Sequence, residues 1–195
     1  MTRRALVLAS KSPRRAELLK QIGLEFSTSD ADIDESVMAG EDVETYVRRL
    51  ARSKAEAGWA ASSLCIAADT AVALDDEIFG KPHSREAGVT MLLRLAGRAH
   101  QVLTGVCLFD GTRAEVIAVV STVWFRHLSE TEALAYWSTG EPKDKAGGYG
   151  VQGVGAVFVD RIEGSYSNIV GLPIAETEAM LQRFDIDTWA MRTNV

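Results

Sequence analysis

ALVLASKSPRRAELLKQIG (5–23) is the stretch from which the fold is read. Its first five residues, Ala5 to Ala9, are an unbroken apolar run short enough for a strand covered on both faces. The chain then passes at once into a helix. Ser12 is a capping residue type, and Pro13 suits the first helical position, where its missing N–H would have been unpaired anyway. Leu18, Leu19 and Ile22 recur at helical spacing, and Gly23 marks the stop. A strand feeding a helix with no linker is how an α/β fold begins. Arg14 and Arg15 are out of place here. They occupy the positive end of the helix dipole, where a cation gives up about 0.3–1 kcal/mol relative to a favourable charge.

Working outward, LEFST (24–28) reads as a second strand. Residues 42 to 58 read as a helix, with Val43, Val47, Leu50 and Ala57 on its apolar face. LCIAA (64–68) is a strand, and TAVAL and EIF flank a turn at Asp75 and Asp76. SREAGVTMLLRLAG predicts a helix between a Ser84 cap and Gly97. HQVLTGVCLF (100–109) and AEVIAVVSTVWF (114–125) form a hairpin about Asp110 and Gly111, because that dipeptide suits a tight turn. Ser129 and Glu132 make a capping box for a helix through Trp137. A glycine-rich loop spans 140 to 155, AVFVDRI and NIV read as strands, and a last helix starts near Pro173. Alternating βα units and hairpins predict an α/β fold with a mixed sheet flanked by helices.

With 195 residues, 47% hydrophobic and 25% charged, the chain suits a single domain or two small lobes sharing a core. A net charge of −6 argues against a nucleic-acid partner or an anionic membrane surface. The charge is unevenly spread, however. The first 20 residues carry +5 and the remainder −11. A local cationic spot in an acidic protein suits a small polyanion. Cys65 and Cys107 lie in apolar runs with no C-x-x-C, as expected of buried thiols in a reducing compartment. His83, His100 and His127 show no metal-ligand spacing. The apolar runs are too short for a membrane span. These features predict a cytoplasmic protein.

Two motifs are lookalikes. GYGVQG (148–153) has dinucleotide-loop spacing, but a loop precedes it and β-branched residues follow, so it is read as backbone approaching a ligand closely. DADIDESVMAGE (30–41) places Asp30, Asp32, Asp34 and Glu41 at calcium-loop positions but has Glu35 where glycine belongs, which leaves a Mg²⁺-associated role for one carboxylate or a merely solvated acidic loop. GKP (80–82) is no P-loop. A turn at Asp75 and Asp76 instead predicts Lys81 opposite Thr70, beside Asp69. Lys54 falls on the apolar face of its helix, where it must either snorkel outward or meet an anion. Asp69 ends a strand, the usual place for ligands in α/β sheets. A phosphate chain bound at the first helix would resolve the misplaced arginines, since free N–H groups and guanidiniums bind phosphate together.

LASKSPRRAELL, IDE (33–35), ARSKA (51–55), AADT (67–70), GKP, EPKDKAGGYGVQG (141–153) and GSYSNIVGLP (164–173) together resemble the Maf family of nucleoside triphosphate pyrophosphatases, in family order from residue 6 to about 176. DKAG-YG-QG resembles the subgroup acting on dTTP and UTP. The resemblance implies one Maf-like domain over 1–195, similar to inosine-triphosphatase folds, elongated, with the site in a cleft between two lobes that share a central sheet. It also implies a homodimer and a divalent cation, Mg²⁺ or Mn²⁺. Asp69 would be the general base and, with Glu35, a metal ligand. Ser10, Arg14, Arg15, Lys54 and Lys81 would hold phosphates, and Arg14, Thr70 and Gln152 would set base specificity. The Gln152 amide has an acceptor and a donor to match N3–H and O4 of uracil or thymine. The rival expectations are a nucleotide-sensing, division-regulating binding protein and a purine-directed (ITP or XTP) pyrophosphatase.

Overall fold

Ala5–Ala9 is a strand (β1) and Pro13–Gln21 a helix (α1), as their patterning predicts, in a computed structural model that describes residues 4–75 and 77–192. Leu18 and Leu19 are buried. Gly23 takes a φ of +71°, so the chain reverses and the Leu24 N–H reaches the Leu19 carbonyl at 3.2 Å. One detail differs. The Ser12 hydroxyl makes no capping bond; Ser10 Oγ instead accepts the Ser12 N–H at 3.2 Å. The second strand is shorter and later than LEFST, covering only Ser27–Ser29 (β2).

β1 pairs in parallel with β2 on one side and with Ser63–Leu74 (β3) on the other. β3 turns back onto Glu77–Phe79 (β4) with Leu74 opposite Glu77, Ala73 opposite Ile78 and Val72 opposite Phe79. That is the register the turn predicts; its Asp75 has φ +51°, while Asp76 lies outside the described residues. The ladder ends at Phe79, so Lys81 does not pair with Thr70. The Gly80 carbonyl instead accepts the Gly147 N–H at 3.1 Å. Ala99–Phe109 (β5) and Ala114–Phe125 (β6) form the expected hairpin with a four-residue connection. Asp110 Oδ1 organises it by accepting the N–H groups of Thr112 and Arg113 at 3.0 and 2.8 Å. These bonds hold its carboxyl down at about 2. Val159–Glu163 (β7) runs antiparallel to β6, giving the order β2-β1-β3-β5-β6-β7 with β4 beside β3.

The end of the chain departs from expectation. Val154–Phe158 is a 3₁₀ turn, so only the later half of AVFVDRI is strand. NIV belongs to a helix, Tyr166–Val170, because Ser165 Oγ accepts the Asn168 N–H at 3.2 Å and starts a helical turn.

Two compact units result: residues up to Asp69 with Thr104–Val119 and Gly171 onward, and Thr70–Leu103 with Val120–Val170. In the first unit, Val43–Gly58 (α2) buries Val47, Leu50, Ala51, Lys54, Ala55 and Gly58. Ala57, expected on this face, is exposed; the face runs through 51, 55 and 58 instead. Ala51 and Ala55 pack against Val7, Ala9, Cys65, Ala67 and Cys107. The helix lies very close to the sheet: a Cβ on Gly58 would overlap Ala9, and one on Gly105 would overlap the Val47 carbonyl. This proximity, with full burial of Leu50 adding about 1.5–3 kcal/mol, sets Lys54 down at the level of the strands. Both cysteines are buried free thiols, and burial pushes Cys65 up to about 11 and Cys107 to about 12.

The second unit has its own core of Phe79, Leu92, Leu95, Val123, Phe125, Tyr136, Tyr149 and Phe158. Arg85–Leu95 (α3) is capped by Ser84, and Glu130–Ser138 (α4) carries the full Ser129–Glu132 capping box. Gly88 of α3 leaves room for the Trp137 ring of α4.

Candidate active site

Asp69 stands near the middle of β3, next to the buried run Leu64–Ala68. Lys54 does not snorkel. Its Nζ lies 2.7 Å from Asp69 Oδ1 and 2.6 Å from Glu35 Oε1. Lys54 is 9% exposed and Asp69 7%. A buried charge needs a partner, and the ammonium supplies one to two carboxylates at once.

Arg15 explains half of the misplaced pair. Its Nε donates to the Gly171 carbonyl at 2.8 Å and its Nη1 to Ser10 Oγ at 3.2 Å. Burial pushes the guanidinium down from its ordinary value, Asp69 pulls it up, Arg14 pushes it down and Glu35 pulls it up. Ser10, Arg14, Arg15, Glu35, Lys54 and Asp69 therefore form one electrostatic neighbourhood in the first unit. At the start of α1 a cavity of about 480 Å³ is lined by Ser10, Lys11, Ser12, Thr28, Ser29 and Asp30 among others. Its size suits a nucleotide-sized ligand, and its hydroxyls and helix start suit an anion.

Thr70, Lys81 and Gln152 belong to the second unit. Thr70 is half-buried, and Lys81 and Gln152 are exposed. Gln152 rides on the glycine loop, three of whose glycines make room for the protein's own groups. A Cβ on Gly147 would press on Val72, one on Gly150 on Lys145, and one on Gly153 on the Glu141 carboxylate, whereas Gly148 has only ordinary contacts around it. Glu141 ties the loop by accepting the Tyr136 hydroxyl at 2.7 Å and the N–H groups of Val154 and Gly155 at 2.8 and 3.1 Å. Lys145 Nζ donates to the Glu141 carbonyl at 2.7 Å and to Asp144 Oδ1 at 2.8 Å. The Tyr149 hydroxyl meets His100 Nε2 at 2.8 Å inside the core. GSYSN is likewise scaffold: Asn168 Nδ2 donates to the Val102 carbonyl and to Ser121 Oγ, both at 3.0 Å.

Sequence reasoning gave no role to Tyr46, Arg49, Glu141 or His100 and met Glu41 only as a calcium-loop lookalike. The first two had a signal, since with Lys54 they share one side of α2. Glu141 and His100 had none, because their partners are distant in the chain. Asp30, Asp32 and Asp34 do not join the Lys54 pair. Lys11 Nζ lies 3.6 Å from Asp30 Oδ2, and Asp34 Oδ1 accepts the Ser36 N–H at 2.8 Å.

A mixed-sheet α/β protein whose first helix starts beside a cavity, with an arginine, a lysine and two carboxylates close by, belongs to the class that handles phosphorylated small molecules. The chain belongs to the Maf-like protein family, whose profile matches residues 5–184. Among curated relatives, a dTTP/UTP pyrophosphatase of Pseudoalteromonas atlantica is 49% identical over 93% of this chain and 97% of its own length. Another dTTP/UTP pyrophosphatase, from Chromobacterium violaceum, is 48% identical over 93% and 96%. The structure of the Staphylococcus aureus Ham1 protein is similar at 20% identity and a TM-score of 0.43, over 62% of this chain and 71% of that one.

Proposed function

We propose that the chain is a nucleoside triphosphate pyrophosphatase that cuts the α–β phosphoanhydride of dTTP and UTP, releasing the monophosphate and pyrophosphate. The observation that carries the reading is Lys54 held between Asp69 and Glu35 in the neighbourhood of Arg15 and Ser10. Phosphoryl transfer is mostly positioning and charge neutralisation, and this group supplies both. The triphosphate lies against the start of α1, with Ser10, Arg14, Arg15 and Lys54 of the first unit facing its oxygens; a phosphate role for Lys81 rests on the family resemblance alone. Water adds to phosphorus, Asp69 takes its proton, and the bridging P–O bond breaks with pyrophosphate as leaving group. A base-reading role for Thr70 and Gln152 rests on the family resemblance.

Glu35 and Asp69 share one cation within 2.7 Å, so their oxygens also fit Mg²⁺ or Mn²⁺, ions commonly bound by one or two carboxylates plus substrate phosphates. When bound, such an ion neutralises phosphate charge and acidifies water. Among the described residues no helix is long and apolar enough to cross a membrane. A cytoplasmic homodimer is part of the same proposal and rests on the family resemblance.

A panel of dTTP, UTP, CTP, ITP, XTP and 7-methyl-GTP, with and without Mg²⁺, tests the reading. Pyrophosphate from dTTP and UTP in excess over the others is expected. Preference for ITP or XTP overturns the pyrimidine assignment, and tight binding without pyrophosphate release overturns the enzyme.

A further inference from the structure

Glu35 sits on residues 30–42, a segment with no helix or strand. Ala31 packs on the first-unit core, but apolar packing does not fix the part around Glu35, because Val37 and Met38 are 52% and 58% exposed. Polar bonds from α2 do. The Tyr46 hydroxyl donates to the Glu35 carbonyl at 3.0 Å, and Arg49 Nη2 donates to the Ser36 carbonyl at 2.9 Å. The same guanidinium grips Glu41 with Nε–Oε1 at 2.6 Å and Nη2–Oε2 at 2.7 Å, the two-toothed geometry that fixes direction as well as distance. Glu41 Oε2 in turn accepts the Met38 N–H at 3.0 Å. The Glu41 side chain is 4% exposed, so solvent screens this pair far less than an ordinary surface bridge. Burial, with the Asp69 and Glu35 carboxylates, pushes the Tyr46 phenol up to about 12, and it stays a donor throughout the neutral range.

We propose that Tyr46 and Arg49 are positioning residues. They grip two successive carbonyls, those of Glu35 and Ser36, and so keep the Glu35 carboxylate at the Lys54–Asp69 pair. Neither touches the reacting atoms. The helix that supplies the shared ammonium also dictates where the second carboxylate stands. Losing the clamp frees the segment and lowers the effective concentration of Glu35 at the site. The kinetic consequence rests on the pyrophosphatase reading; the clamp itself does not.

The test compares wild type, Arg49→Gln, Arg49→Lys and Tyr46→Phe by amide hydrogen exchange of the free proteins and by steady-state turnover of dTTP. Arg49→Gln is expected to speed exchange over residues 34–41 by at least about tenfold while the rest of the chain is unchanged. It should lower kcat by about ten- to a hundredfold and move KM by less than about threefold. Arg49→Lys keeps the charge and recovers part of both losses. Tyr46→Phe removes one hydroxyl and carries the same test with smaller changes should Arg49→Gln fail to fold. Unchanged exchange over 34–41 overturns the proposal. So does faster exchange with kcat within about twofold of wild type, or a loss of protection spread evenly over the sheet. A wild-type chain that releases no pyrophosphate overturns the activity reading, and the exchange data alone then decide whether the clamp exists.

Discussion

Lys54 Nζ and Asp69 Oδ1 lie 2.7 Å apart with both side chains buried, fifteen residues apart in sequence and on different elements. Replacing one partner strands the other, and an uncompensated buried charge costs about 3–5 kcal/mol. Lys54→Met should therefore lower the free energy of unfolding by about that amount, and adding Asp69→Asn should recover most of it. Asp69→Asn alone should fold and bind nucleotide but lose about 10²- to 10⁴-fold in turnover, the usual share of a general base. Chemical denaturation and pyrophosphate release measure the two effects. Near-normal turnover by Asp69→Asn, or a Lys54→Met protein as stable as wild type, would contradict this account.

On the proposed metal site, the Lys54 ammonium and a divalent ion would compete for the same oxygens. In the free protein the lysine should therefore oppose metal, and Lys54→Gln should bind Mn²⁺ at least about tenfold more tightly than wild type. Calorimetric titration of Mn²⁺ into the two free proteins checks this without any turnover. Equal affinities would mean that the carboxylates do not hold the metal between them.

Arg15 serves the fold whatever it does for a ligand: its Nε and Nη1 donate to the Gly171 carbonyl and to Ser10 Oγ. Arg15→Ala should cost about 1–3 kcal/mol of stability by removing the guanidinium from the Gly171 carbonyl and leaving Ser10 Oγ with only the Ser12 N–H, and should weaken pyrophosphate binding too. Arg14→Ala should weaken binding with a smaller loss of stability. Thermal unfolding and calorimetry with pyrophosphate separate the two. Arg15→Ala as stable as wild type would restore the simpler idea that both arginines only burden an empty helix end.

Much of this fold was legible because its signals are local. Leu18, Leu19 and Gly23 define α1, and the Ser129–Glu132 box defines the start of α4. The turn after Leu74 sets the β3–β4 register to the residue. Lys54 was legible as an anomaly, a charge on an apolar face, although its two partners were not. What stayed hidden depends on residues far apart in sequence. Asn168 sits in a helix that Ser165 starts, its side chain held by Ser121 and Val102, whereas its neighbours Ile169 and Val170 favour a strand. Glycines 147, 150 and 153 suggested a ligand because nothing local names Val72, Lys145 or Glu141 as the groups they accommodate.

Gln152 is exposed on a loop tied down by Glu141 and Tyr149. Its amide can accept from N3–H and donate to O4 of uracil, a pattern that cytosine reverses. Gln152→Ala should bring the UTP to CTP ratio of kcat/KM toward unity by about five- to a hundredfold, the worth of one paired contact to a base edge. An unchanged ratio would remove Gln152 from base recognition.

His100 gives the fold a pH limit. It is 2% exposed, edge-on to Phe125 and Tyr149, and its Nε2 meets the Tyr149 hydroxyl at 2.8 Å. Its Nδ1 has no hydrogen-bond partner among the described residues. Burial pushes the imidazole down to about 4, from 6.5 in the unfolded chain. Between those values the unfolded state binds the extra proton, so stability rises with pH across this window and is lost as pH falls through it. From pH 7 to pH 5 the wild type should lose about 2 kcal/mol through this group, at about 1.36 kcal/mol per unit below 6.5. His100→Phe keeps the aromatic packing without the titrating ring and should flatten that part of the slope. Asp110 and Glu132, both held down at about 2, titrate below this range in the fold and are common to both proteins, so their contribution cancels in the difference. Denaturant unfolding of the two proteins at pH 7 and pH 5 measures it. Equal losses in both would show that the imidazole titrates in the fold as it does in water.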